Sequence, residues 1–200
     1  MDNYKNNLKL LTENHVYSKD MEHDACGVGV IASTEGKKSR EIVEYGIEAL
    51  KAVWHRGAVD ADGKTGDGAG IHVEIPKDFF IEKIEVTGHD YDNSEICVGM
   101  IFLPRNDYSS QESCKTIVES ELTKNNFSIF GWRQVPVNPK ILGEKAFQTM
   151  PEIIQVLFKS NDPNLIDKNL ERKIYETRKK IENKAFQLSL NNFYICSISS

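Results

Sequence analysis

The stretch CGVGVIAS at residues 26–33 sets a cysteine at the start of a short run of β-branched residues. Such a run predicts a β-strand. The two glycines that follow the cysteine, Gly27 and Gly29, indicate close approach of the backbone at that end. Cys26 would then be exposed along its backbone, as a nucleophile needs to be. A second interpretation stays open at this point, because free cysteines are most often small buried residues.

The residues before this stretch predict a leader. Residues 1–25 show no sustained hydrophobic period, so we expect a loose leader rather than a folded element. The first 20 residues are polar and lack the apolar core of a secretory signal. We therefore expect a cytoplasmic protein whose cysteines are free thiols.

The residues after the stretch predict a helix and then a glycine loop. Ser39 is a suitable cap for an amphipathic helix that ends near Gly57. Residues 57–70 contain five glycines and three aspartates, so they predict a loop of special backbone geometry. A nucleotide loop is not indicated, because the P-loop spacing is missing and Asp67 would repel phosphate.

The remainder of the chain mixes strands and helices. The helical spacing of apolar residues predicts a helix over 110–124 and a second helix that starts at Asp162 and Pro163. Its apolar face would hold Ile166, Leu170, Ile174, Thr177, Ile181 and Ala185. Strands are predicted over 71–75, 96–103, 127–135, 153–158 and 192–200. This order lacks the strict alternation of a doubly wound sheet, so the predicted class is α+β.

Composition and charge exclude several functions. The 200 residues are 40% hydrophobic and 28% charged, with a net charge of −5. The mild acidity and the lack of a basic stripe argue against a nucleic-acid partner, and the apolar runs are too short to span a membrane. The cysteines lie at positions 26, 97, 114 and 196, with no Cys-x-x-Cys pair, so no metal or iron–sulfur site is encoded locally.

Three motifs together resemble a known family. They are DACGVG at 24–29, AVWHRGA at 52–58 and KTGDGAGI at 64–71. The set resembles the N-terminal glutaminase domain of the glutamate synthase large subunits, which are class II glutamine amidotransferases. The resemblance implies an N-terminal nucleophile hydrolase, an αββα sandwich with mostly antiparallel sheets, here incomplete. It also implies that 1–25 is a leader or propeptide, cut before Cys26, and that 26–200 is the N-terminal part of the domain.

The resemblance assigns roles to individual residues. Cys26 would be the catalytic nucleophile, with its own α-amine as the general base. Arg56 would lie beside the thiol and favour the thiolate. Gly27 and Asp67 would support the nucleophile or the substrate, Asp67 by shaping the loop, while His55 is interpreted as structural. No residue of this segment is expected to bind a cofactor or a metal.

The resemblance also implies a larger enzyme. Ammonia from glutamine would be used to make glutamate from 2-oxoglutarate, with FMN and an iron–sulfur cluster in the full-length protein. NAD(P)H or ferredoxin would supply electrons, and a small reducing subunit is a possible partner. The oxyanion-hole Asn-Gly pair and the residues that bind the glutamine carboxylate and amine lie further along in that family. We therefore expect this segment alone to be a poor glutaminase.

Three hypotheses stay open at this stage. The chain is a piece of such an enzyme, or it is a non-catalytic remnant of the fold that serves as an interaction or assembly module. A different class II amidotransferase is the other alternative, although the Thr-Gly-Asp-Gly-Ala-Gly string at 65–70 is typical of glutamate synthases.

Overall fold

The computed structural model describes residues 2–14 and 27–200, and the chain divides into two compact units. Of the residues described, the first unit holds 2–14, 27–59 and 66–71, and the second holds 60–65 and 72–200. The helices are α1 (Asp2–Asn14), α2 (Arg40–Ala52), α3 (Lys77–Val86), α4 (Tyr108–Lys124), α5 (Glu144–Thr149) and α6 (Asp167–Gln187). The strands are β1 (Cys97–Leu103), β2 (Phe127–Gln134), β3 (Glu152–Ser160) and β4 (Tyr194–Ser199).

The four strands described form one antiparallel sheet in the second unit. Their order is β2-β3-β1-β4, so β1 pairs with β3 on one side and with β4 on the other. The predicted α+β class with an antiparallel sheet is confirmed.

One face of the sheet packs against α4 and α6. Alternate residues of a strand point to opposite faces, and Ile154, Val156 and Phe158 of β3 lie in the core on the helix side. The helices contribute apolar residues at helical spacing. Those that are buried in this core are Cys114, Ile117, Val118 and Leu122 of α4, and Leu170, Ile174 and Ile181 of α6.

A smaller apolar cluster involves α3. Phe80 and Ile84, one helical turn apart, pack with Ile96, Phe130 and Leu157. Leu157 lies between Val156 and Phe158 in β3, so it points to the opposite face from its two neighbours. The sheet is therefore covered on this second face as well, over part of its area.

Strand β4 carries an irregularity that α6 satisfies. Met100 pairs with Ser197 but the next residue, Ile101, pairs with Ile195, which leaves Cys196 as the extra residue of a bulge. The guanidinium of Arg178 donates a hydrogen bond to the carbonyl of Ile195 at 2.7 Å. Helix α6 thus supplies a donor at the point where the ladder is disrupted.

Two predicted strands are wrong. Residues 27–33, the described part of the stretch 26–33, and residues 71–75 form no strand. Both have a β-prone composition, but a strand also needs a partner for its N–H and C=O groups. Neither segment has such a partner among the described residues.

Two helix predictions also need correction. Residues 2–14 form helix α1 where a loose segment was expected. Helix α6 begins at Asp167 rather than at Asp162, because residues 163–164 form a turn in which Asp162 accepts from the N–H of Asn164. Ile166, expected on the buried face, is consequently 56% exposed.

Within the part of the chain that the structure describes, no helix combines the length and the apolar composition that crossing a bilayer requires.

Candidate functional site

The predicted nucleophile, Cys26, lies outside the described residues. Its neighbour Gly27 is exposed and has irregular backbone, as does the segment up to residue 33. Gly29 has no heavy atom within 4 Å of the position that a Cβ would occupy. The chain that follows the cysteine is therefore open to solvent in this unit.

Helix α2 leads to the His-Arg-Gly motif. Ser39 caps it by accepting a hydrogen bond from the N–H of Glu41 at 3.1 Å, as predicted from the sequence. After α2 ends, Trp54–Arg56 form one turn of 3-10 helix, which Gly57 closes by donating to the carbonyl of Trp54 at 3.1 Å. The side chain of Arg56 lies outside what is described, and that of His55 is exposed.

Asp67 is bound to the backbone just past this motif. Its Oδ2 accepts a hydrogen bond from the N–H of Ala58 at 2.9 Å, and its own N–H donates to the carbonyl of Ala58 at 3.3 Å. Next to this pair, Val59 and Gly66 form an antiparallel bridge. The first and last parts of the glycine loop thus run alongside each other as a short two-stranded stem.

The space at Gly66 explains one of the glycines. A Cβ at this position would lie 3.0 Å from the carbonyl oxygen of Ala58. Such a contact is tighter than nine in ten real Cβ contacts, so a larger residue would require the carbonyl of Ala58 to shift by a few tenths of an ångström. Gly66 thus lies where the two backbone stretches approach closely.

The tip of the loop, residues 60–65, is organised by Asp62. One carboxylate oxygen, Oδ1, accepts from the N–H groups of Lys64 at 2.9 Å and Thr65 at 2.7 Å. The other, Oδ2, accepts from the hydroxyl of Thr65 at 2.6 Å and from the N–H of Glu144 at 3.0 Å. These hydrogen bonds, led by the one from the Thr65 hydroxyl, hold the pKa of the Asp62 carboxyl well below its usual range.

An ion pair adds to the contact between the tip and α5. The ammonium of Lys145 lies 2.6 Å from Oδ2 of Asp60. Tip and α5 belong to the same compact unit. Two carboxylates, of Asp60 and Asp62, are thus used to bind residues more than eighty positions away.

The sequence motifs predict that Asp67 shapes the loop, and they assign no role to Asp62. The role of Asp67 stays a prediction, and its carboxylate accepts a hydrogen bond from the N–H of Ala58. The signal for Asp62 was present, since Asp-x-x-Thr at 62–65 is a pattern in which an aspartate accepts from backbone groups two and three residues on. Its partner Glu144 could not have been found from one sequence.

The two buried cysteines are poor candidates for the nucleophile. Cys97 and Cys114 are fully buried in the core, and desolvation raises their thiol pKa to about 12 and about 11. Cys196 is exposed at the β4 bulge. Within residues 2–14 and 27–200, no group of three or more His, Cys, Asp or Glu side chains is placed to hold a metal ion.

Comparison with known proteins gives consistent results. The family model of the class II glutamine amidotransferases matches residues 26–200. The glutamate synthase [NADPH] large chain of Azospirillum brasilense is 50% identical over 197 residues, which cover 98% of this chain and 13% of that protein. Ferredoxin-dependent glutamate synthases of Pyropia yezoensis and of Antithamnion sp. are 38% and 40% identical, over 96% and 90% of this chain and 12% of each relative. The chain thus spans about an eighth of the length of these relatives.

Proposed function

The chain belongs to the class II glutamine amidotransferases, and from that premise we propose that it hydrolyses glutamine, with Cys26 as an N-terminal nucleophile. The observation that carries this proposal is the point at which the family match begins, which is Cys26 itself. The relatives named above are glutamate synthases, which favours this reaction over that of another class II amidotransferase.

The chemistry follows from the position of a cysteine at a chain terminus. An α-amine has an unperturbed pKa of about 8 and a thiol one of about 8.5, so only a few per cent of the thiol is ionised at neutral pH. An α-amine on the same residue is within reach of the sulfur and accepts its proton, without any histidine. A leader that remains attached converts this amine into an amide, which is not basic. Residues 1–25 therefore keep the enzyme inactive until the bond between Ala25 and Cys26 is cut.

The reaction has two steps. The Cys26 thiolate attacks the side-chain amide carbon of glutamine, which forms a C–S bond and an oxyanion. The C–N bond then breaks, the α-ammonium gives its proton to the leaving nitrogen, and ammonia departs. Water hydrolyses the γ-glutamyl thioester, which releases glutamate and restores the thiol. The N–H of Gly27 follows the nucleophile directly and is available to support the oxyanion.

Arg56 and Asp67 support the nucleophile in different ways. The positive charge of Arg56 favours the thiolate of Cys26. Asp67 acts on the backbone, because its carboxylate binds the N–H of Ala58, two residues after Arg56. It thereby limits the movement of the chain that carries the arginine, and it takes no part in proton transfer.

The ammonia is used elsewhere in a larger protein. We place glutamate formation from 2-oxoglutarate, with FMN and an iron–sulfur cluster, outside this chain, in the cytoplasm. NAD(P)H or ferredoxin is the electron donor, and a small reducing subunit is a candidate partner.

Replacement of the nucleophile tests the proposal. In the full-length protein, Cys26→Ala should abolish glutamine-dependent glutamate synthesis and leave ammonia-dependent synthesis intact. Cys196→Ala is the matched control, since it removes an exposed thiol that the reaction does not use. Glutaminase activity that survives in Cys26→Ala would show that another residue is the nucleophile.

A further inference from the structure

We propose that Asp62 is a positioning residue for glutamine hydrolysis. Its carboxylate docks the tip of the glycine loop on Gly143 and Glu144, and the docked tip keeps the two arms of the loop closed. This inference rests on the proposed function, because its consequence is read out as glutaminase activity. It concerns a residue for which the sequence motifs suggested no role.

The two oxygens of the Asp62 carboxylate have separate tasks. Oδ1 accepts only from backbone groups inside the tip, those of Lys64 and Thr65. Oδ2 accepts from the Thr65 hydroxyl and also from the N–H of Glu144, at 3.0 Å. The first oxygen therefore shapes the tip, and the second attaches it to the start of α5.

Gly143 provides independent support for docking. A Cβ added there would overlap with Oδ2 of Asp62 and with both the hydroxyl and the backbone nitrogen of Thr65. Yet Gly143 has φ −71° and ψ 165°, a conformation that any residue adopts. A glycine is needed at this position only because the tip packs directly on the backbone.

The tip continues into the arms through successive backbone contacts. The N–H of Asp60 donates to the carbonyl of Thr65 at 2.7 Å, which closes the tip. The flanking residues Val59 and Gly66 form the next bridge, and Asp67 binds Ala58 beyond it. Each contact restricts the next one along the same two stretches of chain, so an ordered tip keeps the two arms of the loop paired with each other.

The docking contact contributes little to the core. Asp62 and Glu144 are exposed, and neither belongs to the two apolar clusters of the core. Its loss should therefore leave the sheet and its helices folded. The contact is suited to fixing a loop rather than to stabilising the unit.

Two substitutions break the docking from opposite sides. Asp62→Asn can still accept from Lys64 and Thr65 through its one oxygen, but its amide group cannot accept from the N–H of Glu144. Gly143→Ala leaves Asp62 intact and displaces the tip sterically. The matched control is Asp107→Asn, because Asp107 likewise binds a backbone N–H and a hydroxyl, both of Ser110, at the start of α4.

The experiment measures kcat and KM for glutamine and the rate of ammonia-dependent glutamate synthesis in the full-length protein. Because misplacement of reacting groups by about 1 Å costs up to roughly 100-fold, we expect kcat for glutamine to fall about 10- to 100-fold in both variants. Ammonia-dependent synthesis and Asp107→Asn should match the wild type. Hydrogen exchange of residues 57–67 should be faster in both variants.

The outcomes separate the two proposals. Cys26-dependent glutaminase that is unchanged in Asp62→Asn and Gly143→Ala would overturn the positioning role and leave the proposed function standing. An equal loss of ammonia-dependent synthesis would also overturn it, because the damage would then be general. A wild-type protein without Cys26-dependent glutaminase would overturn the proposed function and this inference with it.

Discussion

Ala58 and Asp67 hold each other by two hydrogen bonds across the base of the glycine loop. The N–H of Ala58 donates to Oδ2 of Asp67 at 2.9 Å, and the N–H of Asp67 donates to the carbonyl of Ala58 at 3.3 Å. Asp67, the aspartate of the Thr-Gly-Asp-Gly string, thus accepts a hydrogen bond from a backbone N–H although the residue is exposed. This relationship indicates that the oxygen of Asp67 matters more than its charge.

Substitution of Asp67 tests that distinction. Asp67→Asn keeps an oxygen that can accept from Ala58, so we expect glutaminase kcat/KM to stay within about threefold of the wild type. Asp67→Ala removes the acceptor and should lower kcat/KM by about tenfold. Steady-state kinetics with glutamine decide the matter. If asparagine is as damaging as alanine, the negative charge itself is required.

Alkylation should distinguish the cysteines. Burial raises the thiol pKa of Cys97 to about 12 and that of Cys114 to about 11, so both remain protonated and inaccessible at about pH 7.5. Iodoacetamide should modify Cys196 and, in the processed protein, Cys26. Peptide mass spectrometry of native and denatured samples measures this. Fast modification of Cys97 in the native protein would show that the sheet core opens.

Glu121 should link the stability of α4 and α6 to pH. Its side chain is 7% exposed, and the ammonium of Lys184 on α6 donates to it, which lowers the pKa of the carboxyl from its ordinary value. A carboxyl with a lowered folded-state pKa contributes stability above its unfolded-state pKa. That contribution is lost as the pH falls through the folded-state value.

Glu121→Gln should therefore reduce the free energy of unfolding by about 1 kcal/mol at neutral pH. The difference from the wild type should shrink as the pH falls through the lowered folded-state pKa of the carboxyl. Urea titrations, monitored by the hydrogen exchange of α4 and α6, measure this difference in the free energy of unfolding. Lys124→Met is the control, because Lys124 is 62% exposed and lies 3.5 Å from the same carboxylate. A pH-independent difference would contradict this assignment.

The elements that were predicted correctly from the sequence are those in which the spacing of the apolar residues matches the buried face of the element. The face of α4, with Cys114 and Leu122, and strand β1 are buried as the periodicity indicated. Helix α3 was missed, although the apolar pair Phe80 and Ile84 one turn apart was a signal for it. The strand predicted at 71–75 was wrong because alternation indicates one buried face but cannot supply a neighbouring strand.

The candidate site likewise has one part that the sequence predicted and one part that it did not. The loop around Asp67 was predicted from its glycines and its motif, because a concentration of glycines is a local signature of special backbone geometry. The docking of Asp62 on Gly143 was not, because Gly143 has ordinary backbone angles and its need for glycine arises from a segment about eighty residues earlier. Only the folded chain brings these two residues together.

Gly99 at the centre of the sheet should resist substitution. A Cβ at Gly99 would lie 2.8 Å from Cγ1 of Val156, which is fully buried on the neighbouring strand. Gly99→Ala should therefore destabilise the unit by about 1 to 3 kcal/mol through overpacking. The double variant Gly99→Ala, Val156→Ala should cost less than the sum of the two single changes. Additive costs, measured by urea unfolding, would mean that the strands move apart instead.

The α-amine of Cys26 should be indispensable for hydrolysis. A gene in which a removable initiator Met directly precedes Cys26 should give active enzyme without processing of the leader. One extra Ala retained in front of Cys26 leaves the thiol and every other side chain in place but converts the amine into an amide. Because a general base contributes about 10²- to 10⁴-fold, glutamine hydrolysis should fall by that order while ammonia-dependent synthesis persists. Intact-mass analysis establishes which N-terminus each preparation carries. Full glutaminase activity with the Ala retained would mean that a side chain elsewhere accepts the proton of the thiol.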